Sequence, residues 1–107
     1  MDVLYGDGRF LEGDKDVTGQ IILSEHKLFL KGPEGEHAQT FIPLERIERI
    51  KKVSKGVQIY VRPSQTYQYV ALIEGASKNI DELIKELVRR RNFKKRFLSK
   101  EWFERPN

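Results

Sequence analysis

The hydrophobic residues near the end of the chain follow a helical repeat. Within residues 79–91 (NIDELIKELVRRR) the apolar positions are Ile80, Leu83, Ile84, Leu87 and Val88. Their spacing of i, i+3, i+4, i+7 and i+8 places all five on one face of a helix. The pattern therefore predicts an amphipathic helix over residues 79–91, with its apolar face buried against the rest of the chain.

The polar residues of this segment match the known preferences of helix ends. Asn79 suits the N-cap, because its side-chain oxygen can accept a hydrogen bond from a backbone N–H of the first turn. Glu82 follows three residues later, at the position of the acid in a capping box. The three arginines at 89–91 favour the negative end of the helix dipole, and Glu86 and Arg90 form an i,i+4 pair of opposite charge.

Upstream of this helix, short segments rich in β-forming residues alternate with turn-forming residues. The predicted strands cover residues 3–11, 17–24, 27–31, 38–43, 47–53, 57–62 and 66–74. This order predicts an α+β fold, in which about seven antiparallel strands form a bent sheet or a partly open barrel. The C-terminal helix is expected to cover the open side, since its apolar face must be buried.

The segment before the fifth strand has an ambiguous pattern. Leu44, Ile47 and Ile50 recur every third residue, as in helical turns, but a Ser-Lys-Gly turn signal follows closely. We therefore expect a short turn at Leu44–Arg46 and a strand over Ile47–Val53.

The same region carries a run of basic residues. On a strand, Arg49 and Lys51 face one side of the sheet and Lys52 faces the other, so the run does not form a single patch. The pattern favours a charged strand at the sheet edge, where charge discourages pairing with other chains.

At 107 residues the chain is expected to form one domain over residues 1–92, followed by a basic and aromatic tail over residues 93–107. Phe93 and Phe97 lie one helical turn apart in sequence, as do Leu98 and Trp102. This spacing also allows a second, short helix in the tail that docks on the sheet.

Charge is unevenly distributed along the chain. Residues 1–45 contain four basic and nine acidic side chains, a net charge of −5, whereas residues 46–107 contain sixteen basic and seven acidic ones, a net charge of +9. Such polarity can attract an acidic partner, or the two halves can attract each other within the fold. No apolar run approaches the ~20 residues of a membrane span, and no signal peptide is recognisable, so we expect a cytoplasmic protein.

The residues that could support catalysis are few, and the chain contains no cysteine. Ser24, Glu25 and His26 are adjacent on a predicted connector, so a scaffold cannot orient them as a triad. His37 has acidic neighbours in its loop, but this segment offers no surrounding residues to orient metal ligands. The sequence therefore predicts a protein that is not an enzyme and that holds no metal or cofactor.

The most distinctive feature is a basic and aromatic cluster at the end of the helix and in the tail. The candidate binding residues are Arg89, Arg90, Arg91, Phe93, Lys94, Lys95, Arg96, Phe97 and Trp102. Such a cluster can bind a protein partner, grip nucleic-acid phosphates while its rings stack on bases, or lie on an anionic membrane. It can also be the solvated face of a docked tail helix, and the sequence leaves these four interpretations open.

Three stretches resemble one known family. Residues 19–30 (GQIILSEHKLFL) are similar to the signature hairpin of GRAM-like and bacterial PH-like domains, which belong to the pleckstrin-homology superfold. Residues 41–50 (FIPLERIERI) are similar to the segment that follows the hairpin, and residues 79–88 (NIDELIKELV) resemble the capping helix. The resemblance covers residues 3–91 and rests on short, degenerate motifs.

The resemblance implies a non-catalytic binding module that acts as an adaptor or recruitment domain. Phosphoinositide-binding members carry a basic cluster at the first hairpin. The matching turn here, residues 12–16, contains one lysine, Lys15, among three acids. We therefore expect a protein partner and no phosphoinositide headgroup at this turn, with binding of anionic ligands through the basic C-terminal residues as the alternative.

Overall fold

The structure, a computed structural model, describes residues 2–32, 40–95 and 102–104, with only the backbone described at residue 95. In these residues nine strands form one antiparallel sheet, and one helix packs against it. The strands are β1 (Val3–Glu12), β2 (Lys15–Leu23), β3 (Lys27–Lys31), β4 (Ile42–Pro43), β5 (Ile47–Val53), β6 (Gly56–Ser64), β7 (Tyr67–Gly75), β8 (Lys94–Lys95) and β9 (Trp102–Glu104). The helix α1 (Ser77–Arg91) lies between β7 and β8 in the chain, and the α+β class is as predicted.

Strand β1 joins the two halves of the sheet. The strand order is β4-β3-β2-β1-β7-β6-β5-β9-β8, so β1 pairs with β2 on one side and with β7 on the other. The β1–β2 register shifts between Leu4 and Asp7, where Gly6 has a positive φ of 82°. A side chain at Gly6 would be strained in this conformation and would also meet the amide of Asn79 on α1 at 2.6 Å.

The predicted apolar face of the helix is confirmed. Ile80, Leu83, Ile84 and Leu87 are buried in the hydrophobic core, and Val88 is partly buried against it. They pack on the inner face of the sheet, whose buried residues include Phe10 and the other core side chains Ile21, Leu23, Leu30, Ile50, Ile59 and Ile73. Burying each such side chain stabilises the fold by about 2 kcal/mol, so this helix face is what holds α1 on the sheet.

The predicted N-cap of the helix is wrong by three residues. The N-cap is Ala76, whose side chain cannot cap, and Asn79 is the third helical residue. Strand β7 ends at Gly75, and the helix begins directly after it. Its first hydrogen bond runs from Ile80 N to Ala76 O at 2.9 Å. Glu82 does not serve as the acid of a capping box at Asn79, and its carboxylate lies 3.6 Å from Lys85 Nζ.

The predicted turn at Leu44–Arg46 and the strand over Ile47–Val53 are confirmed, the turn being one 3₁₀ turn. The predicted edge position of this strand is wrong, because β5 lies between β6 and β9. The opposite orientation of its cations is confirmed. Lys52 forms an ion pair with Asp81 of α1, whereas Arg49 and Lys51 lie on the face of the sheet turned away from the helix, called the outer face below.

The described part of the tail forms strands, so the second helix is not found there. Asn92 ends α1 in a left-handed conformation (φ 56°), and Phe93, only 3% exposed, then enters the core. Residues 94–95 and 102–104 pair with each other as β8 and β9. Phe97 and Leu98, on which the helix prediction also depended, lie outside the described residues, as do residues 38–39 of the predicted fourth strand.

Candidate functional site

The structure separates the candidate binding residues onto different surfaces. Arg89, Arg90 and Arg91 form the last turn of α1, and Phe93 is part of the core. Lys94 is exposed on β8, and Lys95 continues that strand. Trp102 lies on β9, on the outer face of the sheet. Arg96 and Phe97 belong to residues that the structure does not describe.

Two arginines of the helix end share one carboxylate. Arg89 Nη2 donates a hydrogen bond to Glu86 Oε2 at 2.5 Å, and Arg90 Nε donates to the same oxygen at 2.7 Å. The hydrogen bond from Arg89, followed by that from Arg90, lowers the pKa of Glu86 to about 2. The predicted Glu86–Arg90 pair is therefore confirmed, and the two positive charges are partly compensated.

Arg90 and Arg91 also hold the helix end to the connectors that face it. Arg90 Nη1 donates a hydrogen bond to the backbone oxygen of Ser24 at 2.7 Å, and Arg91 Nη2 donates to the backbone oxygen of Glu45 at 3.3 Å. Ser24 lies in the β2–β3 turn and Glu45 in the 3₁₀ turn before β5. The two contacts fix the distance between α1 and these connectors.

A groove of about 470 Å³ lies between the helix end and the same connectors. We call it the helix-end groove. Its lining residues are Glu25, His26, Phe41, Pro43, Leu44, Glu45, Arg90 and Arg91. The volume lies within the range of ligand sites in proteins, about 300–1,000 Å³, and is large enough for a few side chains of a bound peptide.

Local hydrogen bonds shape the wall of the groove that faces the helix. Thr40, 1% exposed, accepts a hydrogen bond from Leu30 N at 2.8 Å and donates one to Leu30 O at 3.1 Å. This fixes the chain immediately before Phe41. Leu44 N donates to His26 O at 2.9 Å, which fixes the chain just after it.

Phe41 is the main exposed apolar surface of the groove. Its side chain is 44% exposed, and Lys27 Nζ lies 5.2 Å from its ring centroid. Arginine guanidinium groups of α1 line the groove together with this ring, whereas Glu25 and Glu45 supply acidic groups. An exposed aromatic ring beside charges of both signs is suited to bind an apolar side chain that has polar neighbours.

The sequence could not identify the lining of this groove, because its residues come from three separate segments of the chain. The apolar pattern around Phe41 predicts a strand, and nothing in that pattern distinguishes an exposed ring from a buried one. The only available signal was the arginines of the helix end, whose contacts with Ser24 and Glu45 depend on the fold.

The first hairpin keeps the acidic character expected from the sequence. Arg9 forms an ion pair with Asp16 at 2.5 Å, and the hydrogen bond from Arg9 lowers the pKa of the Asp16 carboxyl. Lys15 Nζ lies 3.6 Å from a carboxylate oxygen of Glu12. The cations at this hairpin, Arg9 and Lys15, are therefore paired with acids.

The residues considered for catalysis make other contacts. Ser24 Oγ accepts a hydrogen bond from Lys27 N at 3.3 Å and donates one to Lys27 O at 3.2 Å, so this hydroxyl stabilises the β2–β3 turn. The His26 side chain is 87% exposed. His37 and its acidic neighbours lie outside the described residues, and within the residues described no group of three His, Asp or Glu side chains is placed to hold a metal ion.

Four side chains form a cation–aromatic cluster on the outer face. The guanidinium carbon of Arg49 lies 4.1 Å from the ring centroid of Tyr60 and 4.8 Å from that of Trp102. The two rings meet edge to face, with centroids 4.9 Å apart, and Lys51 Nζ lies 5.4 Å from the Trp102 ring. The sequence did not indicate this cluster, because it depends on the register of β9 on β5.

Within the part of the chain that the structure describes, α1 is too short and too charged to cross a membrane, and no other helix qualifies. No protein-family model, no curated protein and no solved structure matches this chain.

Proposed function

We propose that this chain is a non-catalytic adaptor domain of PH-like fold that recruits a protein partner through the helix-end groove. The antiparallel sheet packed against one C-terminal helix supports the PH-like assignment. The observation that carries the functional proposal is the 470 Å³ groove, in which the exposed ring of Phe41 lies beside Arg90 and Arg91. The proposed setting is the cytoplasm.

The charges around the groove favour a protein over a phosphate polymer. Glu86 partly compensates Arg89 and Arg90, and the groove itself includes Glu25 and Glu45. Phosphate binding needs uncompensated cations, because its affinity comes largely from counterion release. A peptide can instead place an apolar side chain on Phe41 and its own polar groups on the rim.

Site-specific photocrosslinking tests this proposal. A photoreactive phenylalanine analogue replaces Phe41 in the full chain, expressed in cells of the source organism. The matched control places the same analogue at Tyr67, which is 54% exposed and does not line the groove. We expect a discrete protein adduct from position 41 that is absent from position 67.

Two results would overturn the proposal. One is the absence of any protein adduct at position 41, and the other is the same set of adducts at both positions. The alternative, an anionic ligand bound through the basic C-terminal residues, predicts that the chain binds single-stranded RNA or anionic vesicles with steep salt dependence. Substituting the exposed Lys94 would weaken that binding, and Phe41→Ala would leave it unchanged.

A further inference from the structure

Within the described residues, strand β9 covers the edge of β5 with three residue pairs. The pairs are Arg49 with Glu104, Ile50 with Phe103 and Lys51 with Trp102. All three β9 side chains are partly exposed. The tail therefore docks on β5 as a short antiparallel strand whose side chains alternate between the core and the outer face.

Each residue of β9 contacts a different kind of surface. Phe103 packs against the hydrophobic core, beside its pairing partner Ile50. Trp102 lies on the outer face, where Tyr60 meets its ring edge to face at 4.9 Å and Arg49 lies 4.8 Å from its centroid.

The third residue of β9 adds a charge to this pattern. Glu104 is opposite Arg49 in the β5 register and opposite Lys94 in the β8 register. Opposite charges at directly opposed positions stabilise a strand pair. The edge of β5 that β9 covers thus fits an extended segment with two adjacent aromatic residues, one for each face, followed by an acid.

We propose that the edge of β5 is a docking site for an extended peptide of a partner protein with this aromatic–aromatic–acidic pattern. In the structure described here the chain's own Trp102–Glu104 fills the site, and the partner segment displaces it. Binding is by strand addition, in which backbone hydrogen bonds supply affinity and alternate side chains supply specificity. This site is separate from the helix-end groove and does not depend on it.

The small extent of the β9 pairing makes displacement feasible. Strand β5 pairs with β6 from Ile47 to Val53, with one irregularity between Ile47 and Arg49, whereas the described part of β9 contributes three residues, all partly exposed. Elements with few buried contacts open at low free-energy cost. The attached tail still has an advantage, because its effective concentration at the site is on the order of millimolar. A free peptide is therefore expected to bind weakly until the tail strand is released.

A redox-controlled variant tests this proposal within one full-length protein. The chain has no cysteine, so the double variant Lys51→Cys/Trp102→Cys contains a single possible disulfide. Residues 51 and 102 are directly paired across antiparallel strands, where the Cα separation of about 4.5–5.5 Å suits a disulfide. In the oxidised form the disulfide holds β9 on β5. In the reduced form β9 docks less stably, because the contacts of Trp102 are missing.

The probe is a fluorescent peptide of residues 99–107, SKEWFERPN, and its binding is followed by fluorescence polarisation. We expect the reduced double variant to bind the peptide at least about tenfold more tightly than the oxidised form. Adding Arg49→Ala to the reduced variant should weaken binding, and so should replacing the peptide tryptophan with alanine. The single variant Trp102→Cys, taken through the same oxidation and reduction, controls for the reagents and should not respond.

Two results would overturn the proposal. Equal affinity of the oxidised and reduced forms would show that β9 does not occlude the site. Absence of binding to the reduced form, with its far-UV circular dichroism unchanged, would show that β5 accepts no peptide of this kind. Neither result bears on the cross-linking at Phe41, so failure of this site and failure of the proposed function can be distinguished.

Discussion

The guanidinium of Arg90 donates a 2.7 Å hydrogen bond to the backbone oxygen of Ser24, sixty-six residues earlier in the chain. The same side chain binds Glu86 one helical turn before it. Arg90 therefore connects the end of α1 to the β2–β3 turn, and it is a wall of the helix-end groove as well as a structural link.

Arg90→Ala should lower the free energy of unfolding by about 1.5 kcal/mol, because the Ser24 carbonyl loses a charged donor. Arg89→Ala is the matched control. Arg89 also binds Glu86, but its side chain is 71% exposed, so we expect a clearly smaller loss. Urea denaturation followed by circular dichroism measures both. Equal losses would show that the Ser24 contact does not stabilise the fold.

Stability should depend on the ionisation of Glu86 in acid. The pKa of Glu86 is lowered to about 2 from an ordinary value of 4.5, so its carboxylate contributes stability above the ordinary value. That contribution is lost as the pH falls from about 4.5 towards 2. Glu86→Gln should cost about 1 kcal/mol at pH 7 and much less at pH 2. Urea denaturation at both values checks this, and a cost independent of pH would contradict it.

Phe93 lies near the end of the chain, but its buried ring is expected to contribute strongly to the stability of the fold. Phe93→Ala removes a ring that is 3% exposed in the core, and we expect a loss of about 3 kcal/mol. Trp102→Ala removes a partly exposed ring with edge-to-face and cation contacts, for an expected loss of about 1 kcal/mol. Chemical denaturation compares the two variants, and a larger loss for Trp102→Ala would contradict the observed packing.

The fluorescence of Trp102 reports directly on the docking of β9. The indole is partly buried against Tyr60 and Arg49, so its emission maximum should lie to the blue of a solvated tryptophan. Anionic vesicles at low salt should not shift it, whereas Arg49→Ala should shift it to the red. A solvated maximum that moves to the blue with vesicles would instead indicate a membrane-binding tail.

Local patterns predicted much of the fold correctly. The apolar face of α1 followed from its spacing, because burial of a helix face requires that spacing whatever it packs against. The turn at Leu44–Arg46 and the strand Ile47–Val53 followed from the turn signal after them. In both cases the residues that form the predictive pattern lie within a few positions of each other in sequence.

One error is local, at the helix start, and the others involve partners distant in sequence. Asn79 has the chemistry of an N-cap, but the end of β7 at Gly75 placed the first helical turn earlier. The edge assignment of β5 failed because the strand that covers it comes from residues 102–104. The described candidate binding residues lie close together in sequence but on different parts of the fold. They are found at the helix end, in the core, on β8 and on the outer face, because β8 and β9 pair with strands from elsewhere in the chain or with each other.

The affinity of the partner captured at Phe41 is the most direct test of the proposed recruitment function. Once that partner is identified, its Kd is measured for the wild-type chain, for Phe41→Ala and for the exposed control Tyr67→Ala. The helix-end groove predicts a loss of tenfold or more for Phe41→Ala, as for a central aromatic contact, and less than twofold for Tyr67→Ala. Equal effects of the two substitutions would contradict the assignment of the groove as the recruitment site.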